Sequence, residues 1–456
     1  DVGCKALNRF GESISEEGCP AVDTSPSVLQ ELVWSPSPLQ PSRRFGACTA
    51  DLVDSCIVNG VINIAKEGQQ SMRELQTCSE TGRNFYPIRQ HADFQKVWRM
   101  TEREHDVVGF VLNVPDASQN IWHNVHWLIP AVSRLYLDAT LKELVPQKIA
   151  LLLLFEGYTF TEMQHEVTSS GSDADGAQAS WFDAWILRHA PFLRLLTASP
   201  PVLFRSVSGR CFKRLLWGHA EMRADRELLQ PGAVGPSEVQ LFGSMLEQQH
   251  EDDMAEHASA FWGTTSVIRV LFVQRDAADP RGFEALDELI AKGLVPLASS
   301  GSIIWRSIDD LGRRSLIQQA AIFKSTEVLI GAVGAALAWM AVMRPRTQVI
   351  EWLPRGVPPT LYRCSEAWNA DTLGMFGGLG RLASVDHVCL RGEPVAPLVA
   401  EARRWSGVRA SANEAHWRSR SLKIDPGKFA RWVAEGVRRA SALQRQADSP
   451  EPPSTS

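Results

Sequence analysis

One stretch in the second half of the chain, residues 327–354, constrains the fold more than any other. It reads EVLIGAVGAALAWMAVMRPRTQVIEWLP. The β-branched run at 328–330 predicts a buried strand, the small residues 331–336 predict a turn, 337–343 predicts a helix, and 347–351 predicts the next strand. A strand, a glycine turn, a helix and a strand form the unit that presents helix N-terminal amides to a phosphate. The same pattern also fits a closely packed βαβ unit that binds no ligand.

Beyond this stretch, apolar runs and helical patterns alternate along the chain. Residues 148–155 and 266–273 predict central strands, whereas residues 121–141 and 283–292 predict helices. Such alternation is typical of α/β proteins. A chain of 456 residues is also too long for a single hydrophobic core. We therefore expect two α/β domains.

Changes of composition indicate where these domains begin and end. The first part of the chain is rich in Ser, Pro, Glu and Gly, and a later segment is dominated by Glu, Asp, Gln and His. A basic, tryptophan-bearing segment near the end predicts a solvated helix face rather than a site for acidic partners. The predicted parts are an irregular, cysteine-containing leader (1–92), a first α/β domain (93–220), a linker (221–262), a second α/β domain (263–395), a helical tail (396–446) and a disordered tail (447–456).

The charge and hydropathy of the chain exclude several classes of partner. The net charge is -5, so the chain lacks the overall basic field that nucleic-acid binding needs. Its longest apolar segment, residues 328–343, is shorter than the roughly 20 residues of a membrane span. No signal peptide is recognisable, and the chain begins at Asp1 rather than at Met. We expect no nucleic-acid partner, and a membrane association only through an anchor that precedes Asp1.

Eight cysteines are present, and five of them fall within the first 78 residues. None forms a CxxC pair, so no zinc site is predicted. An even number, clustered in a segment rich in turn-forming residues, favours disulfides and a lumenal or extracellular setting. Reduced thiols are the alternative, and the absence of any Asn-x-Ser/Thr sequon counts against a heavily glycosylated secreted protein.

Two cationic or amide-bearing features follow predicted strands of the second domain. Arg275 comes just after the strand at 267–273, and the turn with Gly334, Ala335 and Ala336 comes after the strand at 328–330. In a parallel sheet both would lie at the carboxyl edge, where α/β proteins bind ligands. The forked guanidinium of Arg275 suits a diphosphate, and the amides of the turn would share its negative charge. A surface salt bridge is the alternative role for Arg275.

A carboxylate and two histidines complete the set of candidates. Glu351 ends the next strand and could accept a hydrogen bond from a ribose hydroxyl, or it could simply cap a helix. His123 and His126 lie near the start of a predicted helix, three residues apart and so on adjacent faces. Histidine is the natural general base near neutral pH, although a structural role is the alternative. No third ligand has a spacing that suits a metal, so no metal site is predicted.

Five blocks of sequence together resemble family 61 glycosyltransferases, which include the O-linked N-acetylglucosaminyltransferases and the plant β-1,2-xylosyltransferase. Their order and spacing fit the family, and the resemblance covers roughly residues 90–400. The blocks are IWHNVHWLIPAVSRLYLD (121–138), GRCFKRLLWG (209–218), VLFVQRDAADPR (270–281), SLIQQAAIFKSTEVLIGAVGAALA (315–338) and TQVIEWLP (347–354).

The resemblance implies a GT-B architecture, with two Rossmann-like domains facing a cleft that holds a nucleotide-sugar. It implies an inverting transfer from a uridine diphosphate (UDP) sugar, N-acetylglucosamine or xylose, to a hydroxyl of a glycan or glycoprotein. The first domain would bind the acceptor and the second the donor, with no permanently bound cofactor and no metal, in the Golgi or endoplasmic reticulum lumen. Arg275 and the Gly334 turn fall on donor-binding positions of the family. Gln319, Glu351 and His126 resemble the Gln, Glu and His of its motifs.

Two departures from the family pattern favour a second hypothesis. The family turn reads His-Gly-Ala-Gly/Ala-Leu, whereas Val333 replaces the histidine here, and Pro130 stands where an acidic residue often follows the first-domain histidine. Both departures remove polar groups, so the alternative is a catalytically inactive GT-B domain that binds a glycan or a protein partner. A Rossmann-type oxidoreductase is a weaker hypothesis because Gly331 and Gly334 are not followed by the third glycine of GxGxxG.

Overall fold

The computed structural model describes just under three fifths of the chain, and everything below concerns that part. The described residues are 50–58, 61–64, 88–90, 102–104, 107–114, 121–137, 148–155, 174–207, 209–217, 234–274, 282–355, 364–370, 375–394 and 421–448. The chain divides into two compact units. One comprises Asp1–Arg223 with Leu229–Gln249, and the other comprises Ala224–Leu228 with His250–Ser456.

The first unit is built on an eight-stranded sheet of mixed direction. Its spatial order is β3-β2-β1-β8-β5-β6-β7, and β4 also pairs with β8. The bounds are Ala50–Val58 (β1), Val61–Ile64 (β2), Ile88–Gln90 (β3), Glu102–Glu104 (β4), Val108–Val114 (β5), Ile149–Phe155 (β6), Val202–Leu203 (β7) and Arg210–Trp217 (β8). Strands β8, β5, β6 and β7 run parallel to one another, whereas β1 runs antiparallel to β2 and β8.

Three helices accompany this sheet: Ile121–Leu137 (α1), Ala174–Leu193 (α2) and Pro236–Gln249 (α3). Helix α1 packs against β5 and α3, and it runs without interruption through Pro130. Helix α2 begins at Ala174 and ends at Leu193. Trp127, Leu128 and Val132 of α1 are fully buried. The apolar side chains of α1 therefore form a substantial part of the core of this unit.

Part of the segment expected to be an irregular leader forms strands in this sheet. β1 pairs with β8 over almost its whole length, and Cys56 is disulfide-bonded to Cys211 of β8. The sequence of β1 does not predict a strand, because Ser55, Cys56 and Ile57 are buried in succession and do not alternate with exposed residues. Asp54 just before them has a φ of 48°, in the left-handed region, which interrupts the alternation that normally indicates a strand. The predicted domain boundaries themselves stay predictions.

The second unit holds a six-stranded sheet with the order β10-β9-β11-β12-β13-β14. The strands are Ile268–Val273 (β9), Ile303–Ile308 (β10), Val328–Ala332 (β11), Gln348–Pro354 (β12), Asp386–Pro394 (β13) and Leu422–Lys423 (β14). The first five are parallel, and β14 is antiparallel to β13. Both sheets are rich in parallel pairs, so the predicted α/β class with two sheets is confirmed.

Helices cover both faces of this second sheet: Glu251–Trp262 (α4), Leu286–Gly293 (α5), Val295–Ser299 (α6), Leu316–Lys324 (α7), Met375–Leu382 (α8) and Pro426–Asp448 (α9). On one face, Phe429 and Val433 of α9 join Phe272, Ile330 and Trp352 of the sheet in one buried cluster. Helices α7 and α8 lie with a 3₁₀ helix, Ala335–Val342, which we call the turn helix. The predicted tail helix is thus part of the core of this unit.

The predicted central elements agree closely with the structure. The helices expected at 121–141 and 283–292 correspond to α1 and α5, and the strands expected at 148–155 and 266–273 correspond to β6 and β9. Among the described residues, no helix combines the length and the apolar character needed to cross a membrane. The segment predicted as a linker contributes α3 to the first unit and α4 to the second, with the division at His250.

Candidate functional site

The strand order of the second unit singles out one position at its carboxyl edge. Chain connections leave β9 towards β10 and leave β11 towards β12, so the order reverses between β9 and β11. In open α/β sheets, ligands bind beyond the carboxyl ends of the strands at such a reversal. Val273 of β9 is in register with Gly331 of β11, so both strands end at the same level. We call this position the switch edge.

A turn with unpaired amides follows β11 at the switch edge. The amide of Val333 donates to the carbonyl of Trp352 (2.9 Å), and the amide of Leu337 donates to the carbonyl of Gly334 (3.0 Å). Within the described part of the chain, the amides of Gly334, Ala335 and Ala336 have no hydrogen-bond acceptor. These amides are the free donors that begin any helix, and they can bind an anion.

The helix that follows this turn differs from the prediction. It begins at Ala335 rather than 337 and is a 3₁₀ helix, with i→i−3 bonds from Leu337 to Gly334 at its start and from Met343 to Met340 at its end. Such tighter turns suit a short connection whose side chains are nearly all buried. Gly334 itself is extended, with φ 171°, so its backbone is one that any residue can adopt.

Gln319, predicted to bind the donor, holds the turn helix in place. Its Nε2 donates to the carbonyl of Arg314 (2.9 Å), and its Oε1 accepts from Nε1 of Trp339 (3.0 Å). Trp339 also stacks on Phe323 of α7, with ring centroids 6.0 Å apart. Gln319 is 4% exposed. Its described contacts are therefore internal and fasten the turn helix to α7, and its role towards a ligand stays a prediction.

The N-terminus of α7, from which Gln319 projects, has its own hydrogen-bonded cap. The amide of Gln318 donates to Oγ of Ser315 (3.1 Å), and the amide of Ser315 donates to Oε1 of Gln318 (2.9 Å). This reciprocal arrangement satisfies two backbone donors that would otherwise be free. It fixes the first turn of α7 and with it the position of Gln319.

Glu351 is buried in the middle of β12 rather than at its end. Strand β12 continues to Pro354, and Glu351 is 1% exposed. Its Oε2 lies 2.9 Å from Nε2 of His387 on β13. Because it lies inside a strand, Glu351 caps no helix, and that alternative is wrong. Its role towards a ribose hydroxyl stays a prediction.

His387 is the residue of this pair that the sequence did not indicate. It lies in the run DHVCL of β13, where a histidine between an acid and apolar residues gives no functional signal of its own. The contact with Glu351 depends on the register of β12 against β13, in which Gln348 pairs with Asp386 and Glu351 with Cys389. The one local signal for His387 in the sequence is that it is a polar residue next to the apolar residues of a strand.

The other predicted site residues are distributed as follows. The structure brings the turn amides, Gln319 and Glu351 into one unit. Arg275 directly follows Gln274, whose amide donates to the carbonyl of Ile308 (2.9 Å), but Arg275 lies outside the described residues. His123 and His126 belong to α1 of the first unit, and their side chains also lie outside the described part.

A buried polar contact in the first unit involves the same helix turn as these histidines. Nδ2 of Asn124 lies 3.1 Å from Nε2 of His189 on α2, and Nδ1 of His189 lies 2.8 Å from the carbonyl of Trp185. A carbonyl only accepts, so Nδ1 carries the hydrogen and Nε2 accepts from Asn124. Burial lowers the pKa of His189 to about 4, helped by the nearby charge of Arg188 and opposed by the bond to Trp185. His189 is therefore neutral at physiological pH.

No group of three or more His, Cys, Asp or Glu side chains within the described ranges is arranged to hold a metal ion.

Comparison with known proteins supplies the family. The family model described as Glycosyltransferase 61 matches residues 125–350. The chain belongs to glycosyltransferase family 61. The match runs from α1 of the first unit to β12 of the second, so it includes the turn at the switch edge. The resemblance inferred from the five sequence blocks is confirmed, and the chain is a member of a family of sugar transferases.

Two further comparisons add little to this assignment. Among solved structures, the chain is similar to the glycosyl transferase family 9 from Veillonella parvula DSM 2008. That likeness has 10% sequence identity and a TM-score of 0.31, and it covers 74% of this chain and 99% of the other. A TM-score this low carries no argument about the fold or the activity. The comparison with curated proteins found no match.

The two departures of this family 61 glycosyltransferase from its family pattern lie at described positions. Val333 is half-buried beside the free amides of the turn, and Pro130 is buried within α1. The backbone of Val333 keeps its hydrogen bond to β12, so the turn is held without the family histidine. What the substitution removes is an imidazole near the free amides.

Proposed function

We propose that this family 61 glycosyltransferase moves a sugar, N-acetylglucosamine or xylose, from a UDP-sugar to a hydroxyl of a glycan or glycoprotein with inversion. The observation that carries the proposal is the set of free amides at Gly334, Ala335 and Ala336 beside the strand-order reversal. Amides at this position suit the diphosphate of a nucleotide-sugar. Arg275, two residues after the end of β9, would add a permanent forked cation.

The proposed reaction assigns each group a separate task. A general base, His126 or alternatively His123, takes the proton of the acceptor hydroxyl. The hydroxyl oxygen attacks the anomeric carbon, and the bond to the diphosphate oxygen breaks, so UDP leaves with the electron pair. Arg275 and the turn amides stabilise the charge that develops on the diphosphate. Glu351 accepts from a ribose hydroxyl, and Gln319 keeps the turn helix in position. The donor is a co-substrate, and no permanently bound cofactor takes part.

Thermal stability with added nucleotide tests donor binding. We expect millimolar UDP to raise the Tm of the wild type and to leave that of Arg275→Ala unchanged. Arg344→Ala is the matched control, because Arg344 is exposed and precedes the opposite, amino end of β12. The control should respond to UDP as the wild type does. If no nucleoside diphosphate shifts the Tm of the wild type, the proposal fails.

Turnover is tested separately with a panel of UDP-sugars. Release of UDP from one sugar, followed by a mass increase of a glycan acceptor equal to that sugar, would establish transfer. His126→Ala and His123→Ala should then distinguish the two candidates for the general base. We expect the base variant to lose most of kcat and to keep the Kd for UDP.

A second candidate function is favoured by Val333. Without the imidazole of the family turn, the chain would bind a glycan or a protein partner as an inactive domain. It would then bind UDP-sugars weakly and release no UDP from them. Restoring the family residue with Val333→His should raise donor affinity in that case, whereas an active enzyme releases UDP without this change.

We propose further that the protein works in the Golgi or endoplasmic reticulum lumen. Two disulfides, Cys56–Cys211 and Cys364–Cys389, support an oxidising compartment. Counting free thiols in the protein purified from its native cells tests this point. Free thiols at all four positions would contradict it.

A further inference from the structure

The pair formed by Glu351 and His387 lies beside the end of β11, just before the turn at the switch edge. Glu351 is in register with Gly331, the fourth residue of β11, and His387 is in register with Val349, two residues before Glu351. Ile350 and Trp352 point into the cluster with α9, so Glu351 between them faces the opposite side of the sheet. Helix α8 packs there, with Gly380 nearest to His387.

One hydrogen bond joins the two side chains. An ionised carboxylate only accepts, so His387 then donates from Nε2, and a protonated Glu351 would donate to Nε2 instead. Both residues are almost fully buried, at 1% and 4% exposure. Breaking the hydrogen bond would leave buried polar atoms unsatisfied, which is costly. The contact therefore fixes the orientation of the Glu351 carboxyl group.

Two atoms of the pair have no partner within the described part of the chain. They are Oε1 of Glu351 and Nδ1 of His387. Native proteins leave few buried polar atoms unpaired, and those they leave are often used by water or a ligand. Oε2 is occupied by His387, so Oε1 is the oxygen that remains to accept another hydrogen bond.

Strand β11 contributes no side chain next to Glu351, whereas β13 contributes Cys389. Gly331 is its register partner on β11, and Val273 is the register partner of Gly331 on β9. A Cβ at Gly331 would meet Cδ2 of Leu337 and Cβ of Val273, both at 3.6 Å, which is ordinary contact. Packing alone therefore does not require glycine here. Glycine is also the residue that lets a ligand group come closest to a backbone.

We propose that His387 is a positioning residue, which holds Oε2 of Glu351 so that Oε1 accepts a hydrogen bond from a ribose hydroxyl of the donor beside Gly331. This inference rests on the proposed function, because it assigns a partner to the donor that the proposed function requires.

Binding of UDP and of its 2′-deoxy and 3′-deoxy analogues, measured by calorimetry, tests the inference. A hydrogen bond from a hydroxyl to a charged group makes UDP bind about tenfold or more tightly than the analogue that lacks that hydroxyl. We expect this ratio in the wild type and its loss in Glu351→Gln. His387→Leu should lose it as well, and His387→Gln, which can still donate to Oε2, should keep most of it.

The ratio separates a positioning role from a structural one. A purely structural His387 would lower the Tm of its variants and leave the ratio at the wild-type value, and that result in folded His387→Leu overturns the inference. If the wild type binds UDP but discriminates against neither analogue, the inference alone fails. If the wild type binds no UDP, the proposed function fails as well.

A second variant keeps the test independent of the folding of His387→Leu. Gly331→Ala adds one methyl group at ordinary contact distances, so we expect its Tm to stay near that of the wild type. We expect it to bind UDP about tenfold more weakly, because the methyl group occupies the ribose side of Glu351. Unchanged affinity of Gly331→Ala for UDP would overturn the placement of the ribose beside Gly331.

Discussion

Among the described residues, a buried histidine joins two separate elements in each unit, His189 in the first and His387 in the second, and the two are used differently. In the first unit, both ring nitrogens of His189 have neutral partners, Asn124 and the carbonyl of Trp185. In the second unit, His387 bonds to a carboxylate, and its other nitrogen has no partner among the described residues.

The difference shows how partners determine what a buried histidine does. When the two ring nitrogens of a histidine bond to an amide and a carbonyl, its hydrogen-bonding capacity is fully used. Such a histidine serves to hold two helices together. A histidine bonded to a carboxylate leaves acceptor capacity on that carboxylate, which a ligand can use. Each unit also has a disulfide. The stability of the two units can therefore be compared after removing a covalent contact as well as after removing a histidine contact.

Removing the disulfides should give the largest difference between the units. The chain-entropy model predicts a loss of about 5 kcal/mol for Cys56→Ser with Cys211→Ser, because 155 residues separate these cysteines. It predicts about 3.5 kcal/mol for Cys364→Ser with Cys389→Ser, whose separation is 25 residues. Hydrogen exchange monitored in each unit measures both losses. Equal losses would show that native contacts, rather than loop length, set the effect.

Breaking the pair in the second unit should have the next largest effect on stability. His387→Leu leaves the buried carboxylate of Glu351 without its partner, which costs about 3–5 kcal/mol. Combining it with Glu351→Gln removes the charge and should restore most of the loss. Thermal unfolding of the single and double variants measures the recovery. A double variant as unstable as the single one would show that shape, rather than charge, is what His387 provides.

Acid should destabilise the first unit through His189. The folded pKa of about 4 lies below the ordinary value of 6.5, so the unfolded chain binds the proton first as the pH falls. The stability contributed by neutral His189 is complete above about pH 6.5 and is lost between pH 6.5 and 4, by about 3 kcal/mol. His189→Gln should flatten this part of the stability curve, as seen by hydrogen exchange in α1 and α2. Parallel curves for the two proteins would refute the assignment.

The smallest effect is expected at the turn helix, where the contact is neutral and satisfied. Trp339→Phe removes the bond from Nε1 to Gln319 but keeps a ring to stack on Phe323. We expect a loss of about 1–2 kcal/mol, because Oε1 of Gln319 is left buried without that donor. A Tm measurement detects the change. The additional change Gln319→Leu, which removes the unpaired acceptor, should recover part of it.

Much of the second unit could be predicted from sequence because its signals are local. Strand β9, the turn after β11 and strand β12 each occupy one short segment whose pattern of apolar and small residues indicates its type. The placement of Arg275 just after β9 and of the turn after β11 followed from chain order alone. The strand β1 was not predicted, because its buried residues do not alternate and only its pairing with β8 makes it a strand.

The contacts that complete the candidate site could not be predicted in this way. Glu351 and His387 are 36 residues apart, and Asn124 and His189 are 65 residues apart. Both contacts depend on which strands or helices are neighbours and in what register, and no local pattern encodes this. The partner of Cys56 lies 155 residues away for the same reason.

By itself, the sequence determined the α/β class, the family and the turn that ends β11, because periodicity and turn chemistry act over a few residues. Only the tertiary structure decided that Glu351 is buried against His387, that Gln319 holds the turn helix, and that β9 and β11 meet at the reversal of strand order. Strand order and register arise from packing between distant segments, where burial of apolar faces selects one arrangement among many.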